Sequence, residues 1–136
     1  MVVDTNVFGA DLLRRAAPLA EFYRPYLAGR RFVVSFQTVA ELTFGARRQG
    51  WGHARLHRLD ERLARAQVIW AGPELLREYV DLRVRCERAG HALAQSDHDT
   101  DRWIAATAVR LGVPLVSHDT VFRGAPGLIL ETALTG

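Results

Sequence analysis

The stretch Asp101-Arg102-Trp103-Ile104-Ala105-Ala106-Thr107-Ala108-Val109-Arg110-Leu111-Gly112-Val113-Pro114-Leu115-Val116-Ser117-His118-Asp119 decides the fold. The small residues at 105, 106 and 108 allow a helix to lie close against a sheet. Gly112 is suited to close that helix, and Pro114 prevents it from continuing. Leu115 to Ser117 then reads as a short buried strand that delivers Asp119 at its carboxyl end. Helices that alternate with such strands imply parallel pairing through right-handed crossovers, and ligands in these sheets bind outside the carboxyl ends of the strands.

Working outward, the same alternation covers the whole chain. Met1-Val2-Val3 is a first strand ending at Asp4. The spacing predicts helices over Asn6 to Arg15 and Pro18 to Ala28, the second with Pro18 in its first turn and Leu19, Phe22 and Tyr26 on one face. Pro25 predicts a kink or an early end. Arg31 to Ser35 is the second strand, Ser35 is placed to cap a helix over Gln37 to Arg47, and Gly50-Trp51-Gly52 is a turn. A further helix runs to about Ala66, Gln67 to Trp70 is the third strand, and Pro73 opens a long amphipathic helix ending near Gly90. After a polar loop over Gln95 to Thr100 come the quoted helix and fourth strand, and Leu128-Ile129-Leu130 is a short fifth. The expected architecture is a single three-layer α/β domain over residues 1–136, its mostly parallel sheet of four to five strands flanked by helices.

The composition agrees with one core: 136 residues, 49% hydrophobic, without a repeat or low-complexity tract. No apolar stretch approaches the ~20 residues of a membrane span, and the first residues enter a strand pattern rather than a secretory leader, so a cytoplasmic protein is expected. Cys86 is the sole cysteine. It shares a helix face with Leu75, Tyr79 and Leu82, which favours a packed thiol over a nucleophile. Net charge is +3, yet residues 47–66 hold six arginines against Asp60 and Glu61. Within them Leu56, Leu59 and Leu63 recur at helical spacing, with Arg55, Arg58 and Arg62 as a stripe one residue offset. That stripe is either a solvated face or a surface for phosphates or an acidic partner.

Four acids deserve joint treatment. Asp4 and Asp119 end strands on one edge of the sheet. Glu41 lies two turns into the helix after the second strand, turned away from Val39 and Thr43, and Asp101 sits in the first turn of the alanine-rich helix. Taken singly, Glu41 reads as a surface glutamate, Asp101 as a favourable charge at a helix N-terminus, and Asp4 as the start of a turn. Taken together, four gathered carboxylates repel one another, and a hard divalent cation is the usual compensation. Thr5, Asn6 and Ser117 are placed to hydrogen-bond the acids or a phosphate oxygen. His98 and His118 flank them and read as solvated loop histidines rather than general acids. Trp51 reads as an apolar plug beneath its turn or, alternatively, as a stacking platform for a base. An aspartyl-phosphate phosphatase would want an acid two residues after Asp4, where Asn6 stands.

The opening Val-Val-Asp-Thr-Asn, Glu41 within Thr-Val-Ala-Glu-Leu, the Asp-Arg-Trp-Ile-Ala-Ala-Thr-Ala helix and the Val-Ser-His-Asp strand end together resemble the PIN-domain ribonucleases, and within them the VapC-type toxins of bacterial toxin–antitoxin pairs. The resemblance covers essentially the whole chain. Matched position by position, it implies an active site of Asp4, Glu41, Asp101 and Asp119, with Asp4, Asp101 and Asp119 holding Mg²⁺ or Mn²⁺ and Glu41 orienting water or accepting its proton. Asp97 and Asp99 lie close to Asp101, and the fixed distance to Ile104-Ala105-Ala106 selects Asp101. The resemblance further implies an RNA substrate, a homodimer and a VapB-like antitoxin that sends a basic side chain into the acidic pocket. Alternatives are a nuclease acting on DNA, a ribonuclease that matures RNA, and a catalytically silent module that binds an arginine-rich partner and acts in promoter autoregulation.

Overall fold

A computed structural model describes residues 1–13 and 16–135. Five short strands, β1 (Val2–Val3), β2 (Val33–Ser35), β3 (Gln67–Ile69), β4 (Leu115–Val116) and β5 (Leu130–Glu131), form one sheet in the order β3-β2-β1-β4-β5. Every neighbouring pair is parallel. Among the described residues six helices connect them: α1 (Thr5–Phe8), α2 (Ala17–Leu27), α3 (Phe36–Arg48), α4 (His53–Arg65), α5 (Pro73–Ala89) and α6 (Asp99–Leu111), with 3₁₀ turns at Ala10–Leu12, Ala92–Ala94, Ser96–His98 and Thr120–Phe122.

The three layers follow from strand alternation. Val2 and Leu115 pair in register and face a core made with Leu75, Leu82, Cys86, Ile104 and Ala105 of α5 and α6. Val3 and Val116, one residue on, face the opposite core with Val7, Phe8 and Tyr23 of α1 and α2. These four strand residues are wholly inaccessible to solvent, and each contributes roughly 1.5–3 kcal/mol by burial. A strand covered on both faces is therefore apolar at every position rather than alternating. Cys86 is buried in the first core, as a packed thiol.

The anticipated helix caps are in place. Ser35 Oγ accepts from Gln37 N at 3.1 Å, and Gly112 ends α6 with φ 66°, a left-handed conformation that favours glycine. Helix α6 begins two residues earlier than Asp101, so that Asp101 still stands in its first turn.

Three expectations are corrected. The continuous helix over Asn6 to Arg15 is instead the single turn α1 followed by the 3₁₀ turn at Ala10–Leu12; Arg14 and Arg15 lie outside the described residues. Two arginines of α4 explain the break, since Arg62 donates to Phe8 O at 3.3 Å and Arg55 to Leu12 O at 3.4 Å, drawing on carbonyls a continuing helix would use. At the break, Gly9 lets α3 press close, because a Cβ there would stand 2.8 Å from Leu42 Cδ2. Pro25 does not break α2, which ends at Leu27; Pro25 and Glu21 are exposed, so the carbonyl that loses its donor can meet water. The fifth strand begins at Leu130 rather than Leu128, because Leu128 N is still engaged in a turn to Ala125 O, with Gly127 at φ 78°.

Candidate active site

Strands β2 and β3 extend the sheet on one side of β1, and β4 and β5 extend it on the other. The direction of growth reverses at the β1/β4 seam, where a crevice forms at the carboxyl ends. Asp4 stands at that seam, fixed by its own backbone: Asp4 N donates to Val116 O at 2.9 Å, and its carbonyl accepts from Val7 N and Phe8 N. Its side chain caps α1, Oδ1 accepting from Thr5 N at 2.8 Å, while Oδ2 accepts from Ser117 Oγ at 2.6 Å. Only 5% of Asp4 is exposed. Burial pushes its carboxyl up to about 7; the bonds from Ser117 and Thr5 oppose that rise, and the charges of Asp101 and Glu41 add to it.

Glu41 reaches the same place from α3. Its Oε1 accepts from Thr5 Oγ1 at 2.9 Å. Thr38, buried and one turn earlier on α3, lies 2.9 Å from the same hydroxyl. A hydroxyl has one proton, so with Thr5 donating to Glu41, Thr38 donates to Thr5. Although Glu41 is exposed as a residue, loss of water around its carboxylate raises its pKa, the Thr5 bond lowers it and the Asp101 charge raises it further. Asp101 is likewise raised, chiefly by burial, with its bond to His98 opposing and the charge of Asp119 adding. Asp119 accepts from Val121 N at 2.9 Å, capping the turn that follows, and its own N donates to Ser117 Oγ at 3.0 Å.

Asp4, Glu41 and Asp101 thus feel one another's charge and Asp101 feels that of Asp119, with Ser117 joining Asp4 to Asp119 and Thr5 joining Glu41 to the start of α1. Their oxygens are turned toward protein donors, and among the described residues no three His, Cys, Asp or Glu side chains stand arranged to hold a metal ion. The donor set is four carboxylates, of which Asp4, Glu41 and Asp101 are raised in pKa by burial and by neighbouring charge, and it fits a hard cation such as Mg²⁺ or Mn²⁺ in chemistry. Asn6 is exposed and stands outside these bonds.

Several participants are not the ones the sequence pointed to. His98 is no solvated loop histidine: its Nδ1 lies 2.8 Å from Asp101 Oδ2. His118 Nδ1 lies 2.8 Å from the hydroxyl of buried Tyr23, which donates to Ser117 O at 3.0 Å and accepts from Ala133 N at 3.0 Å. Arg102, 1% exposed, donates to Leu93 O at 2.7 Å, Gln95 O at 2.6 Å and Asp99 Oδ1 at 3.1 Å, and Tyr79 also donates to Asp99. Asp99 is therefore committed to holding the loop before α6. The i, i+3 spacings of Thr38 with Glu41 and His98 with Asp101 were available signals; Tyr23, 94 residues from Ser117, had none. The arginine stripe is divided: Arg55 and Arg62 turn inward onto the Gly9 segment, Arg62 over the Phe8 ring at 4.5 Å, while Arg58 stays exposed.

The sequence profile of the PIN domain family matches residues 1–128. The chain belongs to the PIN domain family. No match is found among the curated proteins. Among solved structures, this PIN domain is similar to a chain of VapBC2 from Rickettsia felis bound to a DNA fragment from their promoter, with a TM-score of 0.78 and 22% identity over 96% of each chain. It is similar also to a chain of DNA-bound VapBC from Salmonella typhimurium, with a TM-score of 0.75 and 21% identity over 96% of each chain. VapBC-1 from nontypeable Haemophilus influenzae gives a TM-score of 0.71 and 24% identity, again over 96% of each chain. These likenesses show that the PIN domain has their fold, a parallel sheet between helical layers. No helix among its described residues is long and apolar enough to cross a membrane.

Proposed function

We propose that this PIN domain is a metal-dependent endoribonuclease, the toxin of a VapBC-like toxin–antitoxin pair. The observation that carries the reading is the set of four coupled carboxylates at the β1/β4 seam, with Asp4 pushed up to about 7. So costly an arrangement is understandable where a cation relieves it. Asp4, Asp101 and Asp119 are the residues to hold Mg²⁺ or Mn²⁺. When bound, such an ion supplies an activated water and offsets charge on the scissile phosphate. Glu41, its carboxylate oriented by the Thr38–Thr5 hydroxyl pair, directs the attacking water and takes its proton. Ser117 holds Asp4 in one rotamer and, through the backbone of Asp119, fixes the distance between the two strand ends. His98 does the same for Asp101. The protein partner is a VapB-like antitoxin, a reading supported by the crystallised VapBC relatives, and we propose that the toxin acts as a homodimer.

A catalytically silent module is the second reading, favoured by one observation: two of those relatives were crystallised on DNA, one of them on a fragment of its own promoter. Cleavage of total cellular RNA by antitoxin-free protein separates the two. Discrete cuts with Mg²⁺ or Mn²⁺, lost with EDTA and in Asp101→Asn, are the expected result. RNA left intact by correctly folded protein in either metal supports the silent module.

A further inference from the structure

Helix α3 contains a glycine that its own packing does not require. Gly45 lies inside the helix, where glycine costs stability relative to alanine, and a Cβ built on it would meet nothing within 4 Å. Gly9 faces the opposite situation, since a Cβ there would collide with Leu42.

What Gly45 does is floor a groove between α3 and the segment from Gly9 to Leu13. Leu12, Leu13 and Leu42 line it, Glu41 lies at one end and Trp51 at the other, and its cavity volume is about 80 Å³, the rest of the groove being open to solvent. Glu41, Gly45 and Gln49 follow at four-residue steps on one helix face, so the groove leads away from the acidic cluster for about 12 Å at 1.5 Å per residue. At its far end the Arg55 guanidinium lies 3.9 Å from the centre of the Trp51 ring, and Trp51 Nε1 donates to Gln49 Oε1 at 3.3 Å. The aromatic plane is thus held in place by its neighbours. Arg48, three residues after Gly45 on α3, is exposed.

The order of chemistry along the groove is acidic, apolar, aromatic and cationic. An extended peptide of apolar side chains would use the floor but leave the held indole plane and the arginines without a purpose. A single strand of nucleic acid uses all of them: a base on the apolar floor against the indole, and phosphates on guanidinium groups. We infer that the Gly45 groove is a nucleobase subsite that receives one base of single-stranded RNA next to the scissile phosphate, with Gly45 and Trp51 contacting the base and Arg48 and Arg55 the phosphates. The phrase "next to the scissile phosphate" rests on the nuclease reading; the subsite itself needs no cleavage.

The test is equilibrium binding, by fluorescence anisotropy, of short labelled oligouridylate, oligocytidylate and oligoadenylate in EDTA, where no cutting occurs. Gly45→Leu fills the floor without touching an acid, and leucine is the better helix former, so its melting temperature should equal or exceed that of the wild type. Its affinity should fall by about tenfold or more, as should that of Trp51→Leu, the loss expected for one stacked base. Arg48→Gln should reduce the slope of log affinity against log salt by about one. Unchanged affinity in both Gly45→Leu and Trp51→Leu, or no binding of any of the three oligonucleotides by the wild type, overturns the subsite and leaves the groove to a protein partner. Gly45-dependent binding together with intact cellular RNA in the cleavage assay keeps the subsite and removes the nuclease reading.

Discussion

Ser117 Oγ donates to Asp4 Oδ2 at 2.6 Å across 113 residues of chain, and the same oxygen accepts from Asp119 N at 3.0 Å. One small hydroxyl therefore ties the end of the first strand to Asp119, three residues past the end of the fourth. Because it favours the ionised form of Asp4, this bond works against the burial that raises the same carboxyl.

The pH dependence of stability should expose that balance. Folding raises the Asp4 pKa from 3.8 to about 7, so the folded chain holds the proton more tightly than the unfolded one. The resulting stabilisation is full below pH 3.8 and lost as pH rises through about 7, amounting to about 4 kcal/mol at most. Metal-free protein should accordingly melt at a lower temperature at pH 8 than at pH 5, and Mg²⁺ or Mn²⁺ should restore part of the loss at pH 8. Asp4→Asn should flatten the pH slope in EDTA and abolish cleavage. Melting curves of the two proteins across this range decide it, and parallel slopes would remove the assignment.

Gly9→Ala should lower stability by about 1–3 kcal/mol. Its φ of −89° suits alanine, so the cost is steric: the new methyl meets Leu42 Cδ2 at 2.8 Å and Thr5 O at 3.2 Å. The displacement is transmitted to the Thr5 bond with Glu41, so cleavage should fall more than the melting temperature alone explains. Chemical denaturation alongside initial rates makes the comparison.

Tyr23→Phe removes one hydroxyl that serves Ser117 O and Ala133 N and lies 3.2 Å from Thr132 Oγ1. The expected cost is about 1–3 kcal/mol, since partners are left without a bond away from water. Limited proteolysis should cut the chain near Thr132 faster in the variant than in the wild type. Equal rates would show that other contacts hold this segment.

Arg102→Met keeps the length of the side chain but strips Leu93 O and Gln95 O of their donor and leaves Asp99 without its cation. The loss should be about 1–3 kcal/mol, chiefly from carbonyls left without a donor, since Asp99 is exposed enough for water to reach it. Calorimetry should show a melting temperature lower by several degrees. A smaller effect would mean that water replaces the guanidinium.

How much of this was legible depended on distance along the chain. The parallel sheet, the Ser35 cap, the end of α6 at Gly112 and the meeting of Asp4 with the segment ending at Asp119 all follow from local signals and the topology those signals impose. Where contacts between distant segments decide the outcome, the signals failed. Phe8 and Leu12 have ordinary helical neighbours, and it is Arg62 and Arg55 of α4 that claim their carbonyls. His98 looked like a residue of a polar loop because nothing nearby announces that Arg102 gathers Leu93, Gln95 and Asp99 and so compacts that loop against α6. The face expected of α2 was Leu19, Phe22 and Tyr26, yet Phe22 is exposed and Tyr23 is the buried aromatic; its hydroxyl joins the site through contacts that no periodicity encodes.

The bond between Ser117 and Asp4 also bears on timing. Asp4 is made 113 residues before Ser117, and β1 cannot take its place between β2 and β4 until both have been synthesised. A nascent chain still on the ribosome, or one cut short before β4, carries Asp4 and Glu41 without the strand that completes their surroundings. The surroundings of Asp4 are thus complete only once β4 has been made.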